Sequence, residues 1–244
     1  MTKVQSLEGL TILTKEEINL DLAIKIEQEA FVDEPTETKE GIKFLIKHGI
    51  VLALKDEKTG DLRGIAEAIN LADLLNPDIS REAKRLQPES PLRIILENDK
   101  LDFVLRGIMY AYPNLANYHY AHGIAVSPKS LGYGTALFAE RVKRLVGEKD
   151  LMLGFVMASP PNIPSIRMYL RQGAIIDSIV NNVYGYDKKY FRMVYNRQIR
   201  TNANVQRTIP LEVNYIAEII ASLTEGYIGT GFKESNTLVF NRKL

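Results

Sequence analysis

A glycine-containing loop between an apolar strand and a helical pattern is the stretch best suited to chemistry. The apolar run from Ile124 to Val126 ends at Pro128, and Gly132 and Gly134 follow just before apolar residues recur at helical spacing. Glycine lets backbone amides approach a ligand without a side chain in the way. The first amides of a helix have no partner within it, and they carry partial positive charge. We therefore predict an anion site here, suited to a pyrophosphate.

Two other phosphate loops do not fit this spacing. A Rossmann fingerprint needs a third glycine three residues after Gly134, where Leu137 stands, and a Walker A loop needs Gly-Lys-Ser/Thr. A plain strand-to-helix turn that binds nothing remains the alternative. A second Gly-x-Gly pair, Gly229 and Gly231, precedes a strand-like segment and is interpreted as a simple turn.

A second group of chemically capable residues follows another apolar run. Asn162 is followed by Ser165 three residues later, by Tyr169 seven later and by Gly173 eleven later. Asparagine favours the start of a helix and glycine its end, so this spacing predicts a short helix that ends at Gly173. By residue type alone, Asn162 could be only a helix cap, and Tyr169 only a half-buried packing residue.

The elements that must position these residues alternate between strands and helices. A hairpin precedes the loop, and a strand, a helix and two strands follow the loop helix, which predicts a mixed sheet and not a doubly wound one. The predicted strands are 10–13, 50–54, 63–71, 118–126, 151–158, 174–179, 190–195 and 237–241. One helix is predicted to begin at Lys15, and another to follow the glycine loop. Further helices are predicted over 38–47, 80–86, 91–109 and 165–172, with a last amphipathic helix near 211–223.

The composition excludes several kinds of site. Without cysteine the chain has no disulfide, zinc-thiolate centre or thiol nucleophile. Its 31 Lys and Arg against 30 Asp and Glu leave a net charge of +1, which indicates neither a nucleic-acid partner nor a membrane surface. No apolar run approaches the roughly 18 residues of a membrane span, and the first residues lack the apolar core of a signal peptide. We expect a cytoplasmic protein.

The glycine loop resembles the first motif of the GNAT N-acyltransferase superfamily. That motif is Val-x-Pro followed by Arg or Gln-x-x-Gly-x-Gly or Ala. This chain has Val126-Ser127-Pro128 followed by Lys129-Ser130-Leu131-Gly132-Tyr133-Gly134. Two departures are Lys129 at the basic position and a segment before the first glycine that is about two residues shorter than is common.

The second group resembles the second motif of the same family, Asn-x-x-Ala-x-x-x-Tyr-x-x-x-Gly-Phe. Asn162, Ser165, Tyr169 and Gly173 match it, and Ala174 replaces the phenylalanine. Two motifs in the right order, separated by a helix and a strand, are more specific than either alone. The resemblance covers roughly residues 10–195 and leaves 196–244 outside it.

The resemblance implies a fold and a cosubstrate. The fold is α/β (α+β), with a GNAT-like mixed, mostly antiparallel central sheet flanked by helices. The cosubstrate is acetyl-CoA, and no metal is expected. By match, the residues that bind coenzyme A are Ile124, Ala125, Val126, Lys129, Leu131, Gly132, Tyr133, Gly134, Thr135, Asn162, Ser165 and Tyr169.

The resemblance also implies a reaction, the N-acetylation of a primary amine by direct attack in a ternary complex. Direct attack agrees with the absence of cysteine. The Val126 N–H would stabilise the oxyanion, and the Tyr169 hydroxyl would protonate the leaving thiolate.

The sequence offers two candidates for the general base, His122 and Glu67. Relatives with a carboxylate on this strand carry it at about the position of Tyr120. Strict alternation would place His122 on the same face as Tyr120 and Ile124, and histidine titrates in the useful range. Glu67, on the neighbouring hairpin strand, is the other candidate, and it faces either a cleft or water. His122 could equally be structural, and an ordered water could pass the proton to bulk solvent.

The predicted organisation is an acyltransferase domain over residues 1–195, with a helical insertion at about 76–118. Residues 196–244 would form a C-terminal helix-strand extension that packs on the core or on a partner subunit, so a homodimer is one expectation. The acceptor would be an amine of a small molecule or a peptide. The alternative function is a non-catalytic, regulatory domain that binds acyl-CoA.

Overall fold

The computed structural model describes residues 9–31, 36–97, 100–128, 131–184, 187–197 and 205–243. The chain divides into two compact units. The first comprises Met1–Pro113 and His119–Leu145, and the second comprises Asn114–Tyr118 and Val146–Leu244. Among the described residues, no helix is both long enough and apolar enough to cross a bilayer.

The first unit is built on antiparallel strands that neighbour one another in chain order. They are β1 (Leu10–Thr14), β2 (Ile50–Asp56), β3 (Leu62–Asn70) and β4 (Asn117–Val126), which belongs to this unit from His119 onward. β2 and β3 form the predicted hairpin, in which Leu52 lies opposite Ala66. Val51 to Leu54 are all buried, although side chains alternate between the faces of a strand. Helices must therefore cover both faces of this sheet.

Helices α1 (Leu20–Ala30) and α2 (Lys39–His48) cover one face, and α7 (Tyr133–Leu145) covers the other. Leu137 of α7 packs with Leu52, Leu54 and Ala66 in one apolar cluster. Asn19 and Thr38 cap α1 and α2, since each side chain accepts an amide hydrogen bond from the first turn. The predicted start at Lys15 is wrong for α1, because Lys15 to Glu17 form a separate 3₁₀ turn in which Lys15 has a φ of +38°.

The predicted helical insertion lies between β3 and β4. It contains α3 (Leu71–Leu75), α4 (Pro77–Ala83), α5 (Pro91–Glu97) and α6 (Lys100–Ala111). The helix predicted over 91–109 is described as α5 and α6, and residues 98 and 99 between them lie outside the described residues. The insertion packs through apolar side chains, among them Leu74, Leu92 and Ile108.

The second unit contains the described strands β5 (Asp150–Ser159), β6 (Ile175–Asn181), β7 (Lys189–Tyr195), β8 (Val205–Glu212), β9 (Tyr227–Phe232) and β10 (Thr237–Lys243). Their order is β5-β7-β6-β9-β10-β8, and the pairs β5–β7, β7–β6, β6–β9, β9–β10 and β10–β8 are antiparallel. Helices α8 (Ile163–Arg171) and α9 (Ile216–Thr224) pack on β6 and β9. The mostly antiparallel sheet with flanking helices confirms the predicted fold class.

The C-terminal segment differs from its prediction in two places. Leu211 belongs to β8 and not to the amphipathic helix, which begins at Ile216. Gly229 and Gly231 lie inside β9 and do not form a turn. A Cβ on residue 229 would lie 3.0 Å from Ile176 Cβ, so the glycine there allows close packing against β6. The division between 1–195 and 196–244 remains a prediction.

Candidate functional site

The predicted anion loop opens α7. Gly132 has a φ of +82°, a conformation that glycine adopts without strain, and the first helical hydrogen bond runs from the Ala136 N–H to the Gly132 carbonyl at 3.1 Å. The amides of Tyr133, Gly134 and Thr135 therefore precede the hydrogen-bond ladder of the helix. Leu131 is exposed, and Lys129, predicted to add charge, lies outside the described residues.

The strand that leads into this loop presents its residues to two faces. Ile124 and Val126 are half-buried and pack with Tyr133 and Leu137 on the α7 face, whereas Ala125 is fully buried. Ala125 lies opposite Ile65 and Ile124 opposite Ala66, so β3 and β4 are in regular register here.

The register breaks at His122. Glu67 pairs with Gly123 and Ala68 pairs with Ala121, so His122 is an extra residue in β4, a β-bulge. Because of this bulge, the predicted alternation that placed Tyr120, His122 and Ile124 on one face of β4 is wrong. Tyr120 lies opposite Ile69 and Ile124 opposite Ala66, and residues 66 and 69 of a strand point to opposite faces, so Tyr120 and Ile124 do not share a face.

The other base candidate, Glu67, lies on the face covered by α1 and meets a second carboxyl there. It is fully buried, so it does not face water as one prediction allowed. A Cβ on Gly123 would lie 3.4 Å from Glu67 Oε2 and 3.5 Å from Oε1 of Glu27, which is 3% exposed. Neither carboxyl oxygen of Glu67 has a hydrogen-bond partner among the described residues.

A third buried carboxyl, Glu37, contacts His122 directly. His122 Nε2 lies 3.0 Å from Glu37 Oε2, and the two side chains are 4% and 0% exposed. The Glu37 backbone N–H donates to Glu27 Oε2 at 2.9 Å, which joins the pair to the other carboxyls. Tyr120 is also fully buried, and its ring meets that of His122 edge-on at 5.6 Å. We call Glu27, Glu37, Glu67 and His122 the buried acid–histidine cluster.

Burial dominates the electrostatics of this cluster. It raises the pKa of Glu27 from 4.5 to about 7, a rise limited by the Glu37 N–H and the charge of His122. Burial likewise raises the pKa of Glu67 well above 4.5. The charges of Glu27 and Glu37 add to that rise, and Arg141 opposes it. The two carboxyls that meet over Gly123 therefore hold protons more tightly than exposed glutamates do.

Arg141 links the cluster to the helix that carries the anion loop. It is fully buried on α7, and its Nη1 donates to the backbone carbonyls of Glu67 at 2.9 Å and Gly123 at 2.8 Å. These residues form the last regular pair before the bulge. Arg141 therefore secures the bulge and supplies a buried positive charge.

The second motif lies in the second unit. Asn162 caps α8, since its Oδ1 accepts the Ser165 N–H at 3.3 Å. Tyr169 is 6% exposed within α8. The helix ends as predicted, with Gly173 at a φ of +93° and the Ala174 N–H bonded to the Tyr169 carbonyl. The structure thus supports a cap at Asn162 and burial at Tyr169. The contact of Asn162 with pantetheine and the catalytic role of Tyr169 remain predictions.

Comparison with known proteins gives a fold but no close relative. No protein-family model and no curated protein matches the sequence. Arylalkylamine N-acetyltransferase 2 from Aedes aegypti is similar in structure, with 14% identity, a TM-score of 0.53, and coverage of 77% of this chain and 99% of that one. Polyamine N-acetyltransferase from Drosophila melanogaster, which forms N-acetylagmatine, is 13% identical with a TM-score of 0.51, and the match covers 76% of this chain and 100% of that one. Arabidopsis thaliana NAA60, solved with acetyl-CoA, is 17% identical with a TM-score of 0.50, and the match covers 77% of this chain and 99% of that one.

The chain has the GNAT fold. The two GNAT motifs therefore led to the right architecture despite the shortened segment before Gly132 and the substitution at Ala174. The predicted CoA residues that the structure describes in the first unit lie together at the end of β4 and the start of α7.

The sequence analysis did not identify Glu27, Glu37 or Arg141, which form or contact the buried acid–histidine cluster. Glu27 lies one turn after the buried Ala23, and Arg141 one turn after the buried Leu137, so each stands on the apolar face of its helix. A charge on an apolar face is a signal that could have identified both residues. Glu37 precedes the cap of α2 in a polar segment, and nothing in its local sequence distinguishes it.

Proposed function

We propose that this protein is a CoA-dependent N-acyltransferase that transfers acetyl from acetyl-CoA to a primary amine. The observation that carries the proposal is the glycine loop from Gly132 to Thr135, which opens α7 directly after β4 in a GNAT fold. Unpaired amides and the helix dipole at this place suit an anionic group such as the CoA pyrophosphate. The GNAT neighbours named above are N-acetyltransferases, and one was solved with acetyl-CoA.

The resemblance assigns the cosubstrate to named residues. Amides from Leu131 to Thr135 would hold the pyrophosphate, and the backbones of Ile124 and Val126 would pair with the pantetheine arm. The Val126 N–H would donate to the oxyanion as charge grows on the thioester oxygen. Asn162 and Tyr169 carry the roles that the second motif implies, contact with pantetheine and protonation of the thiolate.

The acceptor must lose a proton before it attacks, since an ammonium has no lone pair. The buried acid–histidine cluster supports this step, because it contains both predicted base candidates, His122 and Glu67. The neutral amine would form a C–N bond to the thioester carbon, and the C–S bond would break. The surplus proton of the new amide nitrogen would balance the proton that the thiolate takes up as it leaves as coenzyme A.

A small amine is the acceptor that the similarities favour. The similar structures include enzymes named for arylalkylamines and for polyamines.

Release of free thiol tests the proposal. Purified protein would be incubated with acetyl-CoA and a panel containing tyramine, agmatine, spermidine and a short peptide with a free N-terminus, and thiol would be followed with a chromogenic disulfide. Amine-dependent release above the hydrolysis rate supports the proposal. Binding of acetyl-CoA without any amine-dependent release would favour the alternative, a non-catalytic domain that binds acyl-CoA.

A further inference from the structure

Two histidine–glutamate pairs among the described residues of the first unit have the same length but different surroundings. His122 Nε2 lies 3.0 Å from Glu37 Oε2, and His48 Nε2 lies 3.0 Å from Glu82 Oε2. The His122 pair is 4% and 0% exposed, whereas the His48 pair is 14% and 42% exposed. Glu82 also bonds Lys47, as surface carboxylates commonly do. The His122 pair therefore needs an explanation that the surface pair does not.

Glu37 is held so that both of its carboxyl oxygens act as acceptors. Oε1 accepts the Thr38 N–H at 2.9 Å, and Oε2 accepts the Leu92 N–H at 3.4 Å. A Cβ on Gly41 would lie 2.7 Å from Glu37 Cγ, so only glycine there leaves room for this side chain. Because Oε2 acts as an acceptor, we assign the shared hydrogen to His122 Nε2.

This tautomer leaves the lone pair of His122 on Nδ1. Nδ1 is buried, and it has no hydrogen-bond partner among the described residues. Buried acceptors are nearly always satisfied in folded proteins, so an unused one calls for a ligand or a function. Nδ1 is therefore suited to accept an N–H from a bound group.

Resting on the proposed function, we propose that Glu37 is the positioning residue that makes His122 the general base. The acceptor ammonium gives its proton to Nδ1, which yields a neutral amine and an imidazolium. Nε2–H of that imidazolium still faces the Glu37 carboxylate, which stabilises the new charge. The amine lone pair then forms the C–N bond to the thioester carbon, and the C–S electrons leave with the thiolate. The new amide nitrogen gives up its surplus proton, which balances the proton that the thiolate takes up to become coenzyme A.

Several charged or titratable groups face His122 and bear on its pH response. Glu27 comes from α1 and Glu37 from the segment before α2, while Glu67 comes from β3. Tyr120 precedes it on β4, and Arg141 reaches the bulge from α7. Glu37 is the carboxyl that lies within hydrogen-bonding distance of the imidazole in the described structure, so its removal should act on His122 most directly.

The tautomer can be measured without any acceptor. The chain has three histidines, so a long-range ¹H–¹⁵N spectrum of labelled protein should resolve each ring, with His122→Gln used for assignment. We expect wild-type His122 to carry its hydrogen on Nε2. In Glu37→Gln the new amide can donate to Nε2, and the hydrogen should move to Nδ1, the wrong tautomer for the proposed base. Glu82→Gln is the matched control, because it should alter only the His48 signals.

Kinetics with the best amine of the thiol-release panel test the consequence. Glu37→Gln should lower kcat by about 10²-fold with little change in KM for acetyl-CoA. The acid limb of its rate profile should move to lower pH, since the imidazolium loses its counter-charge. Glu82→Gln should keep the wild-type rate.

Three results would overturn the inference: wild-type His122 protonated on Nδ1, a tautomer unchanged in Glu37→Gln, or a Glu37→Gln rate and pH profile equal to wild type. The first does not require Glu37→Gln, so it decides even where that variant does not fold. Failure of the proposed function would appear differently, as wild-type protein that shows no amine-dependent release of thiol, whether or not it binds acetyl-CoA.

Discussion

The side chain of Glu37 occupies the space into which a side chain at Gly41 would grow. A Cβ on residue 41 would lie 2.7 Å from Glu37 Cγ and closer still to its Oε1. Gly41 lies in the first turn of α2, and glycine is a poorer helix former than alanine. The chain thus keeps a poor helix former at the position that lets Glu37 reach His122.

Gly41→Ala should therefore destabilise the protein by about 1–3 kcal/mol, as overpacking of a buried site does. Urea unfolding would measure this change. Gly107→Ala is the control, since Gly107 is exposed on α6 and alanine there should stabilise by up to about 1 kcal/mol. A stabilising effect at both positions would show that Glu37 can leave its place at no cost.

The buried carboxyls should make stability fall as pH rises. Glu27 has a pKa of about 7 in the folded protein and an ordinary value of 4.5, so between these values the folded state binds more protons than the unfolded state. Its contribution is full below pH 4.5 and is lost as pH rises through about 7, on the order of 3 kcal/mol. The raised pKa of Glu67 should extend the loss to higher pH.

Urea unfolding of wild type and Glu27→Gln from pH 5 to pH 8 tests this. The difference in free energy of unfolding between the two proteins should change with pH, with the variant losing less stability. Glu140→Gln is the control, since Arg144 lowers the pKa of Glu140 and that carboxylate stays ionised throughout the range. Parallel curves for wild type and Glu27→Gln would contradict the buried-cluster electrostatics.

Tyr169→Phe tests the role that the second motif implies. If the Tyr169 hydroxyl protonates the leaving thiolate, kcat should fall by about 10²-fold while acetyl-CoA affinity is retained. Tyr227→Phe controls for the loss of a tyrosine hydroxyl from the second unit, because Tyr227 is 3% exposed there. Equal rates for the two variants would assign Tyr169 to packing alone.

Much of the fold follows from local pattern. The β2–β3 hairpin, the strand before the glycine loop, the helix after it and the end of α8 at Gly173 were predictable because each depends on residues close in sequence. The helical insertion was also predictable as helical. β8 and β9 were missed, since their stability comes from pairing with β10 and β6 across the unit.

The candidate site was less predictable, because its geometry depends on one extra residue. The bulge at His122 separates Tyr120 from the face of Ile124, which no period-two pattern shows. Glu37 reaches His122 from 85 positions earlier in the chain (122 minus 37), and such pairings leave no local signal. The loop residues were identified by a family motif, whereas the contacts within the buried acid–histidine cluster are visible only in the three-dimensional structure.

Calorimetric titration of acetyl-CoA tests the central claim most directly. Wild-type protein and Gly134→Asp would be compared with Ala139→Asp, which adds the same charge on an exposed position of α7, roughly 7.5 Å further along the helix. Aspartate in the first turn of a helix is normally favourable, so Gly134→Asp should fold. We predict micromolar binding to wild type and Ala139→Asp, and its loss in Gly134→Asp. Absence of binding to wild type, or equal binding to all three proteins, would contradict the proposed coenzyme A site.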